Sequence, residues 1–580
     1  MKMKRIMTAA ALLLLTTALW AVPALRQWRM VTQPDGTQLS VLLVGDENFH
    51  YYKTADDVVL IEKGGTFYYA VQSGDGLEAT PYIAHEAADR SGDEQLLTAS
   101  AFCNHEQARA MARRAPRITA PRRVGEASGV FEGSKKGIII LVSFNNLDFS
   151  MDNPVETFSD LVNKPGYNEN GAIGSVHDYF YDMSNGRFDL TFDVVGPYKA
   201  PRDYSYYGEN KGNQIDANVR TLIRWAMRAA DEDVDYKNYD WDDDGEVDQV
   251  FIVYAGYGEA SGAPAETIWP HESQLDAVYN ALRLDNMLLK TYACGQELQG
   301  TEGTKLAGIG TICHEFSHCL GLPDFYDTAG DERRGNYGMG DYDLMCSGSY
   351  NGSSWRPAPY TAYERHFCGW MDYNELTQPC RVAGMLPIEN GGDAFIIYNP
   401  ANRNEYYLME NRNRTCRWDT GLTGAGLLIY HVNYDRNRWA DNTVNSFTAG
   451  NPCMQVVAAD NSYELYPPTN IAADLWPTAS GMTTINEFSD TSTPACILYN
   501  ANTDGTKLLH AKLSKIKLTT RTKAISFTYN DGTESYSSID DVLFASDEAQ
   551  RHSQSYNLQG QRVGADYRGV VVRNGKKYLR

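Results

Sequence analysis

Thr311-Ile-Cys-His-Glu-Phe-Ser-His-Cys-Leu-Gly-Leu-Pro-Asp324 is the stretch from which the rest of the chain can be placed. His314 and His318 stand four residues apart, so on a helix both imidazoles fall on one face, one turn apart. They can then share one Zn²⁺ at about 2.0–2.1 Å. Glu315 follows the first of them, where its carboxylate can reach a metal-held water and serve as general base. Gly321 can end the helix in a left-handed conformation, and Pro323 keeps it from resuming. The chain then turns and brings Asp324 back as a third ligand. Three protein ligands leave a position open for water, which is the catalytic arrangement; four would close the site. Cys313 and Cys319 point elsewhere around the helix, as core thiols or disulfide partners.

Downstream, Asp341-Tyr-Asp-Leu-Met-Cys-Ser-Gly-Ser-Tyr350 contains Met345. A Met in a tight turn beneath the zinc marks a metzincin. Upstream, Asp240-Trp-Asp-Asp-Asp-Gly-Glu-Val-Asp248 places acids at positions one, three, five and nine, with Gly245 at six. Asp240, Asp242, Asp244 and Asp248, with Glu246 through its carbonyl, resemble the first part of a calcium loop. Position twelve is Phe251, so this is not an EF-hand, and a neighbouring segment must complete the shell. The readings are a structural Ca²⁺ site or an ordinary acidic loop. His271 either lines a cleft or is a hydrogen-bonded structural residue. Neither a G-x-S-x-G elbow nor a P-loop is present.

Around these motifs, Lys135-Lys-Gly-Ile-Ile-Ile-Leu-Val-Ser-Phe144 and Val250-Phe-Ile-Val-Tyr254 have the pattern of buried strands, and Asn218 to Ala230 has helical spacing. Glu364 to Trp370 closes a helix. From 376 onward strands and turns replace helical periods, as in Ala394–Tyr398, Tyr406–Glu410, Gly426–Val432 and Ala524–Tyr529, which suggests a β-sandwich. Before 130, Gln38–Val44 and Thr66–Val71 read as strands. A basic stretch with Arg109, Arg113, Arg114, Arg117, Arg122 and Arg123 then reads as an exposed linker, either a processing site or a plain connection.

The N-terminus has Lys2, Lys4 and Arg5 ahead of an apolar run, Ile6 to Trp20, that is short for a membrane span. Ala21 or Ala24 can precede a cleavage site, so this reads as a secretory signal. Export would put the ten Cys in an oxidising compartment, as disulfides or as buried thiols. The net charge of −22 disfavours nucleic acid as a partner. With 43% hydrophobic residues, 580 positions suffice for several folded domains.

The chain resembles the immune inhibitor A family of bacterial secreted metzincin proteases. The resemblance rests on Ser175-Val-His-Asp-Tyr179, Ser184-Asn-Gly-Arg-Phe188, Gly196-Pro-Tyr198, the Asp240–Asp248 loop, Ala255-Gly-Tyr-Gly258, His314 to Asp327 and Gly338 to Gly352. It implies that His314, His318 and Asp324 bind zinc, Glu315 is the catalytic base, Met345 forms the Met-turn and the acidic loop binds calcium. It also implies an accessory domain after Trp370. The tail, with Tyr556-Asn-Leu-Gln-Gly-Gln-Arg-Val563, is similar to a C-terminal element of exported Bacteroidetes-type proteins. Some metzincins have a third His where this chain has Asp324. Some have a Tyr two residues after the Met, where this chain has Ser347, which leaves Tyr350 as the candidate oxyanion stabiliser.

The expected organisation is multidomain: signal peptide 1–24, pro-region and basic linker 25–129, α/β metzincin-like zinc protease domain 130–375, β-sandwich-like domain 376–534 and tail 535–580. The expected function is a secreted or cell-surface bacterial zinc endopeptidase, made as a zymogen. Its substrates would be proteins or peptides, with Zn²⁺ for catalysis, Ca²⁺ for structure and no transmembrane segment in the mature chain. Latency could come from a Cys103 thiolate on the zinc or from a steric plug. The rivals are a noncatalytic adhesin and a zinc amidase acting on cell-wall peptides.

Overall fold

The computed structural model describes residues 19–20, 22–25, 27–73, 76–100, 107–108, 111, 131–211, 214–275, 281–328, 338–446, 451–462, 470–536 and four short strands within 555–579. The apolar run up to residue 18, Cys103 and, apart from Met111, the basic stretch from Arg109 to Arg123 lie outside them. Among the described residues no helix is long and apolar enough to cross a membrane.

The part that positions the site is a six-stranded sheet in the order Leu19–Trp20, His271–Gln274, Thr291–Leu298, Val250–Tyr257, Gly133–Ser143, Phe188–Lys199. Its last four strands run parallel to one another, while His271–Gln274 is antiparallel to Thr291–Leu298. Parallel strands are normally covered on both faces and so read as unbroken apolar runs. That is why Ile138 to Val142 carries no polar residue. Ile138, Ile140, Val142, Val250 and Ile252 pack with Leu222, Ile223, Ala226 and Met227 of the helix Val219–Ala230. On the opposite face Ile139, Leu141, Phe251 and Val253 meet Phe158, Leu161, Phe180 and Phe316 of three further helices. One of these, Val176–Met183, starts from a capping box in which Ser175 and Asp178 satisfy each other's backbone N–H groups.

Residues 29–83 form an antiparallel six-stranded sheet, in sequence order. Only its two eight-residue apolar strands, Gln38–Gly45 and Thr66–Ser73, stand out in the sequence. The short ones, such as His50–Lys53, have no periodicity long enough to read.

After Trp370 there are two sheets. A five-stranded one runs Tyr373–Glu375, Ala394–Asn399, Asn402–Asn413, Ala425–Asn433, Met454–Val456; a four-stranded one runs Cys380–Met385, Ile525–Tyr529, Lys512–Leu518, Phe488–Ser489. The five-stranded sheet is a middle layer. Ile396, Tyr406, Leu408, Leu428 and Tyr430 face the catalytic part. The intervening Phe395, Ile397, Tyr407, Met409, Leu427 and Ile429 face the four-stranded sheet. This is the period of two expected of a strand, with both faces dry.

Candidate metal centre

The helix Ile309–Cys319 is buried along its whole length. Its first turn can sit deep because of Gly310: a Cβ there would lie 2.0 Å from the Ser349 carbonyl oxygen. The Gly310 N–H donates instead to the Ser354 carbonyl at 2.8 Å. At the other end Gly321 takes φ +100°. Its N–H reaches the His318 carbonyl at 2.8 Å, and the Leu322 N–H reaches that of Ser317 at 3.2 Å. These two bonds form a Schellman motif, the usual exit through a left-handed glycine. The chain past Pro323 then reverses and delivers Asp324 to the two histidines, as the sequence anticipates.

His314 Nε2 and His318 Nε2 are 3.1 Å apart. Asp324 Oδ1 stands 3.2 Å from the first and 3.5 Å from the second. All three side chains are buried. Ligand atoms about 2.0–2.1 Å from a tetrahedral zinc stand roughly 3.3 Å apart, so the triangle has the size such an ion requires. The tautomers fit as well. His314 Nδ1 lies 2.8 Å from the Leu344 carbonyl and His318 Nδ1 lies 2.7 Å from that of Leu322. An N–H at each Nδ1 leaves the Nε2 lone pairs directed inward. Among the described residues, no group donates a hydrogen bond to the buried Asp324 Oδ1. Orphaned acceptors are costly, and a cation is the partner this donor set suits. Burial opposes the Asp324 charge, but the two imidazoles hold the carboxyl below its usual range. Burial pushes His318 down.

Glu315 is fully buried beside the triangle, and burial raises its carboxyl well above the usual value. Its Oε1 accepts the Val22 N–H at 2.7 Å. Met345 is buried in the same core as the helix. Its N–H donates to Asp343 Oδ1 at 2.6 Å, its carbonyl accepts the Phe325 N–H at 2.8 Å, and the preceding Leu344 carbonyl holds His314. Burial pushes Asp343 up to about 7.

One contributor escaped the sequence reading. Asn442, from the loop after Ala425–Asn433, donates through Nδ2 to Asp324 Oδ2 at 2.6 Å and accepts the Asp324 N–H at 2.7 Å. Nothing near Asn442 in the sequence marks it, because its role arises only when the middle sheet docks.

In the acidic loop Asp240, Asp242 and Asp244 bring their carboxylates together, with ligand atoms all within 4.8 Å of one another. Gly245, at φ +84°, gives the sharp turn. Its N–H and that of Asp244 donate to Asp240 at 2.9 and 3.2 Å. Val247 and Gly245 bond on either side of Leu288, which fixes the loop to the strand Met287–Leu289. Asp248 is buried and accepts the Trp241 N–H, while the Glu246 N–H donates to Asp244 at 2.8 Å. His271 is a structural residue: its ring nitrogens meet the Trp269 carbonyl at 2.7 Å and the Tyr292 hydroxyl at 3.0 Å. Burial lowers it to about 4. The nine described cysteines, Cys313 and Cys319 among them, are buried.

Residues 144–371 match the family described as immune inhibitor A peptidase M6, catalytic domain, which bears out the resemblance carried by the sequence motifs. The chain is 27% identical over 234 residues to the pre-pro-metalloprotease PrtV of Vibrio cholerae, covering 35% of this chain and 25% of that protein. It is 25% identical over 239 residues to a putative secreted metallopeptidase of Arthroderma benhamiae, covering 36% and 33%. It is also 25% identical over 237 residues to immune inhibitor A of Bacillus thuringiensis, covering 33% and 33%. The matches therefore span a quarter to a third of the relatives' own length. Among solved structures, metalloproteinase-II from Bacteroides fragilis aligns with a TM-score of 0.20 at 9% identity, covering 60% of this chain and 92% of that one.

Proposed function

We propose that the protein is an exported zinc-dependent endopeptidase, made as a latent precursor. The observation that carries this is the buried triangle of His314, His318 and Asp324 with the Glu315 carboxylate beside it. His314 and His318 on the helix and Asp324 on its return loop would hold a zinc ion. When bound, the zinc supplies Lewis acidity, which polarises the scissile carbonyl and acidifies water. Glu315 takes the proton of the attacking water and returns it to the departing amine. Met345 forms the turn beneath the metal, in the metzincin manner. Asp240, Asp242 and Asp244 hold a structural Ca²⁺, with Glu246 contributing its carbonyl and Asp248 bracing the loop from inside. The protease unit spans 130–375, and the β-rich region 376–534, whose five-stranded sheet also takes in Tyr373–Glu375, forms a sandwich-like accessory domain ahead of the 535–580 tail. The substrates are proteins or peptides; an N-terminal leader within 1–24, ending at Ala21 or Ala24, directs export.

The test is casein cleavage by the processed protein beside Glu315→Ala, with zinc measured in both. We expect the variant to lose roughly 10²–10⁴-fold in turnover, the usual worth of a general base, while retaining its zinc. A processed protein that holds zinc but cleaves peptidoglycan fragments and not casein would point to the amidase. A folded protein without zinc would point to the adhesin.

A further inference from the structure

The segment Val22–Leu25 lies in the catalytic cleft, held by its main chain. The Val22 N–H donates to Glu315 Oε1 at 2.7 Å. The Val22 carbonyl accepts the Trp269 indole N–H at 3.1 Å, and the Pro23 carbonyl accepts the Tyr350 hydroxyl at 2.6 Å. The N–H groups of Ala24 and Leu25 donate to the Gly45 and Ala260 carbonyls at 3.0 and 2.7 Å. Just upstream, Leu19 and Trp20 pair antiparallel with Ser273 and Glu272 of the sheet's edge strand. Val22–Leu25 continues from that two-residue strand and passes directly over Glu315. Val22 and Ala24 are 1% and 2% exposed. They share a core with Leu39, Val41 and Leu43 of the 29–83 sheet and with Ala260 and Trp269 of the catalytic part. The His50 ring stacks on Trp269 at 4.4 Å, and His50 Nε2 meets Glu259 at 2.9 Å, so the same sheet clamps the segment from outside.

We propose that Val22–Leu25 is an intramolecular inhibitor lying in the orientation of a bound peptide, left on the pro-region when the leader is cut after Ala21. Trp269 and Tyr350 hold its carbonyls as they would those of a substrate beyond the cleaved bond. This rests on the endopeptidase reading above. Any substrate must bring an amide nitrogen to Glu315, and the Val22 nitrogen already stands there. A tethered segment competes at an effective concentration of order millimolar, well above a micromolar substrate. The latch sits on the catalytic carboxylate rather than on the metal, and it needs no thiol.

Two forms of the chain, one beginning at Val22 and one at Gln27, both running to residue 580, test this on casein, with zinc content and melting temperature measured for each. The form beginning at Gln27 is expected to cleave at least about tenfold faster. A synthetic Val-Pro-Ala-Leu-Arg amide, the sequence of residues 22–26, added to the processed enzyme decides the matter should the shortened form lose stability. It is expected to inhibit, more weakly against Tyr350→Phe, while a scrambled peptide does not. Equal rates from two equally stable, zinc-bearing forms, or no inhibition by the peptide, overturn the proposal while leaving the endopeptidase intact. A processed, zinc-bearing protein that does not cleave casein removes the endopeptidase reading, and this inhibitor with it.

Discussion

Asn442 stands 118 residues beyond Asp324 yet grips it twice, once at the carboxylate and once at the backbone. Such outer contacts fix the orientation of a ligand, and their loss typically weakens metal binding about 10–100-fold. Asn442→Ala is expected to do so here, with zinc affinity read by chelator competition; unchanged affinity would mean that Asp324 is held well enough by its loop. At this scale the sequence is legible where the chemistry is local. His314, Glu315, His318 and Asp324 fall within one short stretch, and helix geometry joins them. Asn442 and the Leu344 carbonyl cannot be read in that way. They reach the site through packing, and a backbone carbonyl carries no sequence signature at all.

Among the elements, the central helix shows what punctuation conveys. Its stop is written in Gly321 and Pro323, and the structure ends it there with both Schellman bonds. Its start is not written, because the requirement at Gly310 comes from Ser349 in another segment. Gly310→Ala would gain up to about 1 kcal/mol in helix propensity. The new Cβ meets backbone, which cannot swing aside, and overpacking of that kind costs about 1–3 kcal/mol. The steric term should win, so the variant is expected to melt at a lower temperature and to bind zinc less tightly. A melting temperature at or above that of the parent would show that the 347–355 loop yields freely.

Across the whole molecule, the middle sheet joins what the sequence divides. Its strands read as apolar runs, but a run does not say what covers each face, so the sequence alone divides the chain near 375. Glu405 ties this sheet to the outer layer. Its carboxylate accepts from His431 at 3.1 Å, from Asn399 Nδ2 at 3.0 Å and from the N–H groups of Tyr499 and Asn500. Burial works against its charge, yet these donors, His431 foremost, hold its carboxyl down at about 2. A carboxyl lowered on folding adds stability above its unfolded value, near 4.5, and that stability is lost as pH falls toward 2. Urea unfolding as a function of pH should therefore show a steeper acid limb in the parent than in Glu405→Gln. The variant should be the less stable at pH 7, and the two curves should converge near pH 2. Parallel acid limbs would place the acid sensitivity elsewhere.

The grip of Asn442 on Asp324 also sets an order of events during synthesis. The histidines and Asp324 leave the ribosome together, but the residue that steadies the third ligand follows 118 positions later. Its loop is anchored in turn by Asn445, which bonds to Met454 and Cys453. A nascent chain halted near residue 375 carries His314, His318 and Asp324 and still lacks the side chain that steadies Asp324. Val22–Leu25, by contrast, is made first and is waiting when the cleft closes around it.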